Sequence, residues 1–344
     1  MSAKVITFGE IMLRLSPPNF KRFTQARSFN VIYGGAEANV AVSLANYGIP
    51  VSYVTRIPNN DIGDACIQFL KQYGVNTDNI IRGGERLGIY FLEEGITTRS
   101  SKVIYDRANS SFATAGKGVF NWDKIFEGAI WFHFTGISPA ISQNLADLCL
   151  EAVKVAKSKN IKISIDLNYR SKLWKYGKKP RDIMSNLLNY CDFVIGNEED
   201  ADKVLSIKAP DTEITSGELD PSKYRFVVEK IVEQYPNIKI VAITLRGSKS
   251  ASHNTWSGIL YNGKQLFISP IYDIKYIVDR VGAGDSFAGG LIYGFLTCND
   301  LQKILSFAVA ASCLKHTIVG DFNLVSVDEV LKLMGGDVSG RVSR

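Results

Sequence analysis

Short apolar runs of strand length alternate with longer amphipathic segments along most of this chain. Residues 5–8, 51–54, 130–134, 161–165, 193–195 and 238–243 read as buried parallel strands, being mostly apolar and rich in Val, Ile and Phe. Between them, residues 37–47, 61–73, 145–156, 180–188 and 221–234 carry apolar positions at helical spacing. Strand and helix in alternation leave one economical solution, a three-layer α/β/α unit with crossover helices covering both faces of a mostly parallel sheet. After Asp285 the pattern changes to helices alone, over 286–296, 301–316 and 327–334. Two stretches break the rhythm. Residues 12–33, with Pro17-Pro18, and 88–107 alternate polar and apolar positions, as a sheet with one wet face does. They are expected to form a small β lid, or else two surface hairpins. The main unit is then 1–11, 34–87 and 108–344.

A chain of 344 residues with 46% hydrophobic and 22% charged positions has enough apolar material for a large core, which excludes a disordered protein. The net charge of +6 is local: Arg170, Lys172, Lys175, Lys178, Lys179 and Arg181 carry it, and without these six the remaining 34 Lys and Arg equal the 34 Asp and Glu. Nucleic acid is therefore not the expected partner, since it would need a broad basic face. Five cysteines are scattered without a CxxC pair, the pattern of reduced thiols. No apolar run approaches the ~20 residues that cross a bilayer, and the first ten residues lack a signal-peptide pattern, so no membrane partner and a cytoplasmic location are expected. His133, His253 and His316 have no ligand spacing.

The segment Asp279-Arg280-Val281-Gly282-Ala283-Gly284-Asp285-Ser286-Phe287-Ala288-Gly289-Gly290 holds two glycines around an alanine and then a long helical run. Backbone N–H groups converging at a helix N-terminus bind phosphate oxygens, and Asp285 in the first turn is placed to accept a hydroxyl proton. The plain alternative is an N-capping Asp after a Gly-rich turn. No GxxxxGK[ST] occurs, and the first strand is followed by Gly9 alone, which disfavours a P-loop and a dinucleotide fold. A second motif, Gly34-Gly35-Ala36-Glu37-Ala38-Asn39-Val40-Ala41, allows close approach of backbone to ligand and puts the polar Asn39 on an apolar helix face.

Together, GGAEANVAVSLANYG and DRVGAGDSFAGG resemble the two signatures of the ribokinase-like (PfkB) carbohydrate kinases, in the right order and at opposite ends of the chain. One departure is Arg280-Val281, where many members carry two threonines. The resemblance implies ATP and Mg²⁺ as cofactors, Asp285 as the base, and the amides of Gly282, Ala283 and Gly284 as the anion hole. It implies sugar contacts from Gly34, Gly35 and Asn39. Asn197-Glu198-Glu199-Asp200 is similar to an NxxE motif, with Asp200 an indirect metal contact and Asn197 facing the nucleotide. Thr244-Leu245-Arg246-Gly247-Ser248-Lys249 resembles a nucleotide-binding turn at a strand end, joined by Asn168 and Arg170.

Tyr90, Tyr105 and Arg107 on the lid segments, with Arg170 after the strand at 161–165, suggest an acidic sugar, because an unpaired guanidinium in a closed pocket is costly. GIYFLE, YDRA, DLNYR and Val319-Gly320-Asp321 are similar to the 2-keto-3-deoxygluconate kinase branch, which implies transfer to the 6-hydroxyl, the sugar carboxylate at the lid arginine Arg107 and Asp321 at the substrate. A fructokinase or other neutral-sugar kinase is the alternative, and a non-catalytic sugar sensor a third reading. The lid's apolar positions are compatible with pairing of two copies, as relatives often pair.

Overall fold

In this computed structural model residues 4–197, 199–208 and 223–337 are described. Glu198 of the acidic motif and Pro221 at the start of one expected helix lie outside them. The strands in chain order are β1 (Lys4–Phe8), β2 (Met12–Ser16), β3 (Asn30–Gly34), β4 (Val51–Ile57), β5 (Ile80–Arg82), β6 (Gly88–Glu93) and β7 (Lys102–Asp106). There follow β8 (Ala129–Thr135), β9 (Lys162–Asp166), β10 (Phe193–Asn197), β11 (Ile240–Ser250), β12 (His253–Tyr261), β13 (Leu266–Ile268) and β14 (Tyr272–Ile274).

The expected parallel sheet runs β11-β10-β9-β8-β1-β4-β5. Both its faces are covered: Ile6, Phe8, Phe132, Phe134 and Ile163 pack into one core, and Val5, Trp131, Phe193 and Ala242 into the other. That double burial is why these strands are mostly apolar in sequence. The edge is different. β12 pairs antiparallel with β11, and β13 and β14 both pair with β12, completing a ten-stranded sheet. The segment 244–249 is therefore not a turn at a strand end. It continues β11, with Thr244 opposite Gly258, Arg246 opposite Trp256 and Ser248 opposite Asn254. Its polar composition hid the strand, because Arg246, Ser248 and Lys249 are exposed there.

The eight expected long helices all form, with ends shifted by a few residues. Trp122–Ile125, Ile137–Ile141 and Asp200–Leu205 were not anticipated; at four to six residues they are too short to show a helical period. The helices Ala283–Thr297 and Leu301–Lys315 touch through Gly290, where a Cβ would lie 2.8 Å from the Ala308 Cα. Gly289 does the same against Ser43 on the helix Ala36–Asn46. The glycine pair that ends the 279–290 motif thus serves close helix packing.

The second sheet has the order β3-β2-β6-β7 and stands apart from the first. Its strands β2 and β3 come from the first irregular stretch and β6 and β7 from the second. The burial of β2 inverts its hydrophobic pattern: Met12, Arg14 and Ser16 are buried, while Leu13 and Leu15 are only half-buried. Among the described residues no helix is long and apolar enough to cross a membrane.

Candidate active site

The carboxyl ends of β1, β8, β9, β10 and β11 point toward one cleft of about 530 Å³, roofed by Tyr90, Val103, Tyr105 and Arg107 of the second sheet and the segment after it. This is the edge at which open α/β sheets bind ligands. Direct contacts close the roof: Thr97 N donates to Ser252 Oγ at 3.0 Å, Ala251 N to Thr97 O at 2.7 Å, and Lys172 Nζ to Val103 O at 3.4 Å.

At the floor, Gly282 precedes the helix Ala283–Thr297 with φ 82°. A Cβ there would sit 2.0 Å from the Asp321 carbonyl oxygen, so both conformation and space require glycine. The first-turn amides of a helix have no intrahelical acceptor, and here they line the cleft. Asp285, one turn in, accepts a hydrogen bond from Asn39 Nδ2 at 2.6 Å. Burial pushes its carboxyl up to about 6, with the Asp321 charge adding to the effect and the Asn39 bond opposing it. Next to it Glu37, fully enclosed, is raised to about 7 by burial, although Thr135 donates to it from both N (3.0 Å) and Oγ1 (2.8 Å). The lone Gly9 after β1 is explained by this acid, since a Cβ would lie 1.9 Å from Glu37 Oε2. A carboxylate accepts a proton only when ionised, so if Asp285 has the role of base that the sequence resemblance implies, kcat/KM should climb with pH through a limb near 6 and fall away below it. A pH profile of kcat/KM that is flat across that limb would remove Asp285 from the role.

On the roof, Tyr90 and Tyr105 are cross-strand partners with ring centroids 6.1 Å apart. Arg107 lines the cleft but its charge is answered: only 8% exposed, it donates through Nε to Glu10 Oε2 at 2.8 Å and forms an ion pair with the same carboxylate. Glu10 also accepts from Ser110 Oγ. Asp321 is held on both oxygens, by Arg14 Nη1 at 2.8 Å and by the Tyr90 hydroxyl. Arg14, 1% exposed, further pairs with Asp279 at 2.7 Å and Glu94 at 2.9 Å and donates to Ser16. It ties the second sheet to the two loops beside Gly282. Sequence reading missed Arg14 and Glu10; the available signal was a charge set among apolar strand residues.

Asn168, Arg170, Asn197, Thr244 and Arg246 also line the cleft, as does Gly35. Gly34, Gly247, Ser248 and Lys249 do not. Gly34 instead makes room for Asp321, whose Oδ2 would be 2.1 Å from a Cβ. Lys249 faces Asp273 at 3.5 Å on the surface. Unanticipated members are Asn254, Trp256 and Arg280. Asn254 is 0% exposed with both carboxamide atoms unpartnered, and Arg280 donates to the Ala251 carbonyl at 2.5 Å. Among the described residues no carboxylate forms an ion pair with Arg170, Arg246 or Arg280. Three guanidinium groups with no carboxylate partner around one cleft suit a polyanion. His316 is neutral, pushed to about 4 by burial, with Nδ1 on the Ser312 carbonyl at 2.8 Å.

Asp166 and Asp200 line the same cleft. Asp200 accepts from the amides of Tyr169 and Asn197, both at 2.9 Å, and so shapes the Asn168–Arg170 and Asn197 backbones. Burial raises both carboxyls, and the charges of Asp200 and Asp285 push Asp166 further. Among the described residues no cluster of three or more such side chains forms a complete metal site. A pair of buried acids lining the cleft nevertheless fits Mg²⁺, which binds through one or two carboxylates plus nucleotide oxygens and water.

A doubly covered parallel sheet, an amide-lined helix start with a carboxylate one turn in, and arginines without carboxylate partners in the same cleft define a phosphotransferase of the ribokinase-like fold. The chain belongs to the pfkB family of carbohydrate kinases, whose model matches residues 2–323. It is 30% identical over 343 residues, 99% of each chain, to 2-dehydro-3-deoxygalactonokinase from Haloferax volcanii. It is 26% identical to 2-dehydro-3-deoxygluconokinase from Bacillus subtilis, covering 96% of this chain and 95% of that one. The crystal structure of 2-dehydro-3-deoxygluconokinase from Thermotoga maritima has 49% identity and a TM-score of 0.92, over 97% of this chain and 100% of that chain.

Proposed function

We propose that this kinase transfers the γ-phosphoryl group of ATP to the 6-hydroxyl of 2-keto-3-deoxy-D-gluconate. The observation that carries the reading is the single cleft lined by Asp285, the Gly282–Gly284 turn and Arg170, whose guanidinium donates to the Tyr169 carbonyl and pairs with no carboxylate among the described residues. Asp285 takes the hydroxyl proton as the sugar oxygen bonds to phosphorus and the bond to the ADP oxygen breaks. The amides of Gly282, Ala283 and Gly284 receive the negative charge of the transferred group. Arg246 and Arg280 neutralise the phosphates. Asp200, with Asp166 beside it, would hold Mg²⁺ together with the nucleotide, and the ion would supply further neutralisation of the phosphates.

The sugar carboxylate goes to Arg170, because Arg107 is already paired with Glu10. Asn39, Gly35 and the Tyr90–Tyr105 pair frame the sugar, and Asp321, already held by Arg14 and Tyr90, serves it by fixing the Tyr90 hydroxyl. The second sheet acts as a lid whose closure excludes water and suppresses hydrolysis of ATP. The names of the gluconokinase relatives support this substrate, while the Haloferax volcanii relative favours the galacto epimer as a second reading.

A coupled ADP-release assay with both epimers, fructose and ribose tests the proposal. The acids should be turned over well and the neutral sugars poorly; preference for fructose would overturn it. Arg170→Gln should lower kcat/KM for the acid by about 10- to 100-fold, the worth of a hydrogen bond to a charged group. An equal loss with a neutral sugar would mean that Arg170 serves the nucleotide alone.

A further inference from the structure

Lys315 ends the helix Leu301–Lys315 and is 0% exposed. Its Nζ donates to the Ile318 carbonyl at 3.1 Å and the Asp279 carbonyl at 3.5 Å. Fully buried lysines are rare, and taking an ammonium out of water is costly unless it is paired and hydrogen-bonded. A lysine at a helix C-terminus would favour the helix dipole equally well from the surface. Some other gain must therefore offset the burial.

The surroundings supply it. Asp279 opens the loop that leads into Gly282, and its carboxylate receives Val281 N at 3.0 Å and Gly320 N at 3.1 Å. Ile318 opens the loop that ends on Asp321, whose carbonyl lies against Gly282. The Lys315 Cε is 3.4 Å from where a Gly282 Cβ would stand. The amide-bearing turn thus rests on two loops whose carbonyl oxygens converge on one ammonium. Arg14 neutralises the Asp279 and Asp321 carboxylates from the second sheet, and Lys315 holds the same loops from the main body.

We infer that Lys315 is a positioning residue, an internal cation that pins the Asp279 and Ile318 loops together and so sets the Gly282–Gly284 amides for phosphoryl transfer. The inference rests on reading that turn as the anion hole. Without the ammonium, two carbonyl oxygens face each other uncompensated, the loops part, and the amides move away from the reacting group.

The test uses Lys315→Met, which fills the space without charge, and Lys315→Ala, which leaves room for a small ion. Lys315→Met should keep its melting transition and its affinity for ADP, while kcat falls by about 10²-fold, the loss expected from a misplacement of about 1 Å. KM for the sugar should change little. Lys315→Ala should be as slow, and ammonium or methylammonium chloride should restore it where tetramethylammonium chloride at equal ionic strength does not. Wild-type kcat in Lys315→Met would overturn the inference, as would a slow Lys315→Ala that no small cation restores. Should either variant fail to fold, the unaltered enzyme decides: with its cation built in, it should turn over equally in all three salts, and a strict need for a small cation would overturn the inference. Failure of the sugar-acid proposal is distinguishable, because the rescue is read on whichever sugar the unaltered kinase phosphorylates.

Discussion

Asp285→Asn should abolish turnover while leaving nucleotide binding intact. Asparagine keeps the shape of the side chain and still meets Asn39, which lies 2.6 Å away in the native protein, but it has no lone pair basic enough to take a hydroxyl proton. General-base catalysis contributes about 10²–10⁴-fold, and kcat should fall by a factor in that range or beyond it. The native carboxyl is suited to the task because burial brings it to about 6, within reach of a neutral-pH proton transfer. Single-turnover kinetics alongside ADP titration would separate chemistry from binding. Loss of nucleotide affinity with the same mutation, or kcat within a few-fold of native, would sink the assignment.

The largest effect on stability should come from Arg14→Ala. Its guanidinium is the common partner of Asp279, Asp321 and Glu94, and removal leaves buried carboxylates without a counter-charge. Breaking a buried pair in this way costs about 3–5 kcal/mol. Urea denaturation at neutral pH should show that loss. It should shrink in acid, because burial already raises the carboxyls of Asp321 and Glu94 and the variant lets them take up protons. A loss below about 1 kcal/mol, the value of a surface pair, would show that the network does not hold the second sheet down.

Much of the site could be read before folding, for a local reason. Gly282, Ala283, Gly284 and Asp285 act through backbone amides and a carboxylate within one turn, so their geometry is carried by neighbours in sequence. Asn39 follows from Gly35 in the same way, its Oδ1 accepting from Gly35 N at 3.3 Å. Arg107 was harder. Its place in the cleft was legible, yet its partner Glu10 lies 97 positions away and nothing local announces that pair. Polar composition rather than distance hid Asn254 and the hairpin of β11 and β12, whose residues at 246–255 lack the apolar run that marked the central strands.

By itself the amino-acid order determined the class of fold, because hydrophobic period and turn chemistry act over a few residues and admit a doubly covered parallel sheet. It also determined the amide-lined turn and its aspartate. Only the tertiary structure decided how charge is distributed around that turn. Arg14 comes from the second sheet, Asp279 and Asp321 from loops of the main body, and Lys315 from the end of a helix; Arg14 and Asp321 stand 307 residues apart. Electrostatic interaction depends on distance and burial rather than chain position, so which charge is free for substrate and which is spent on structure became visible only when the chain had closed on itself.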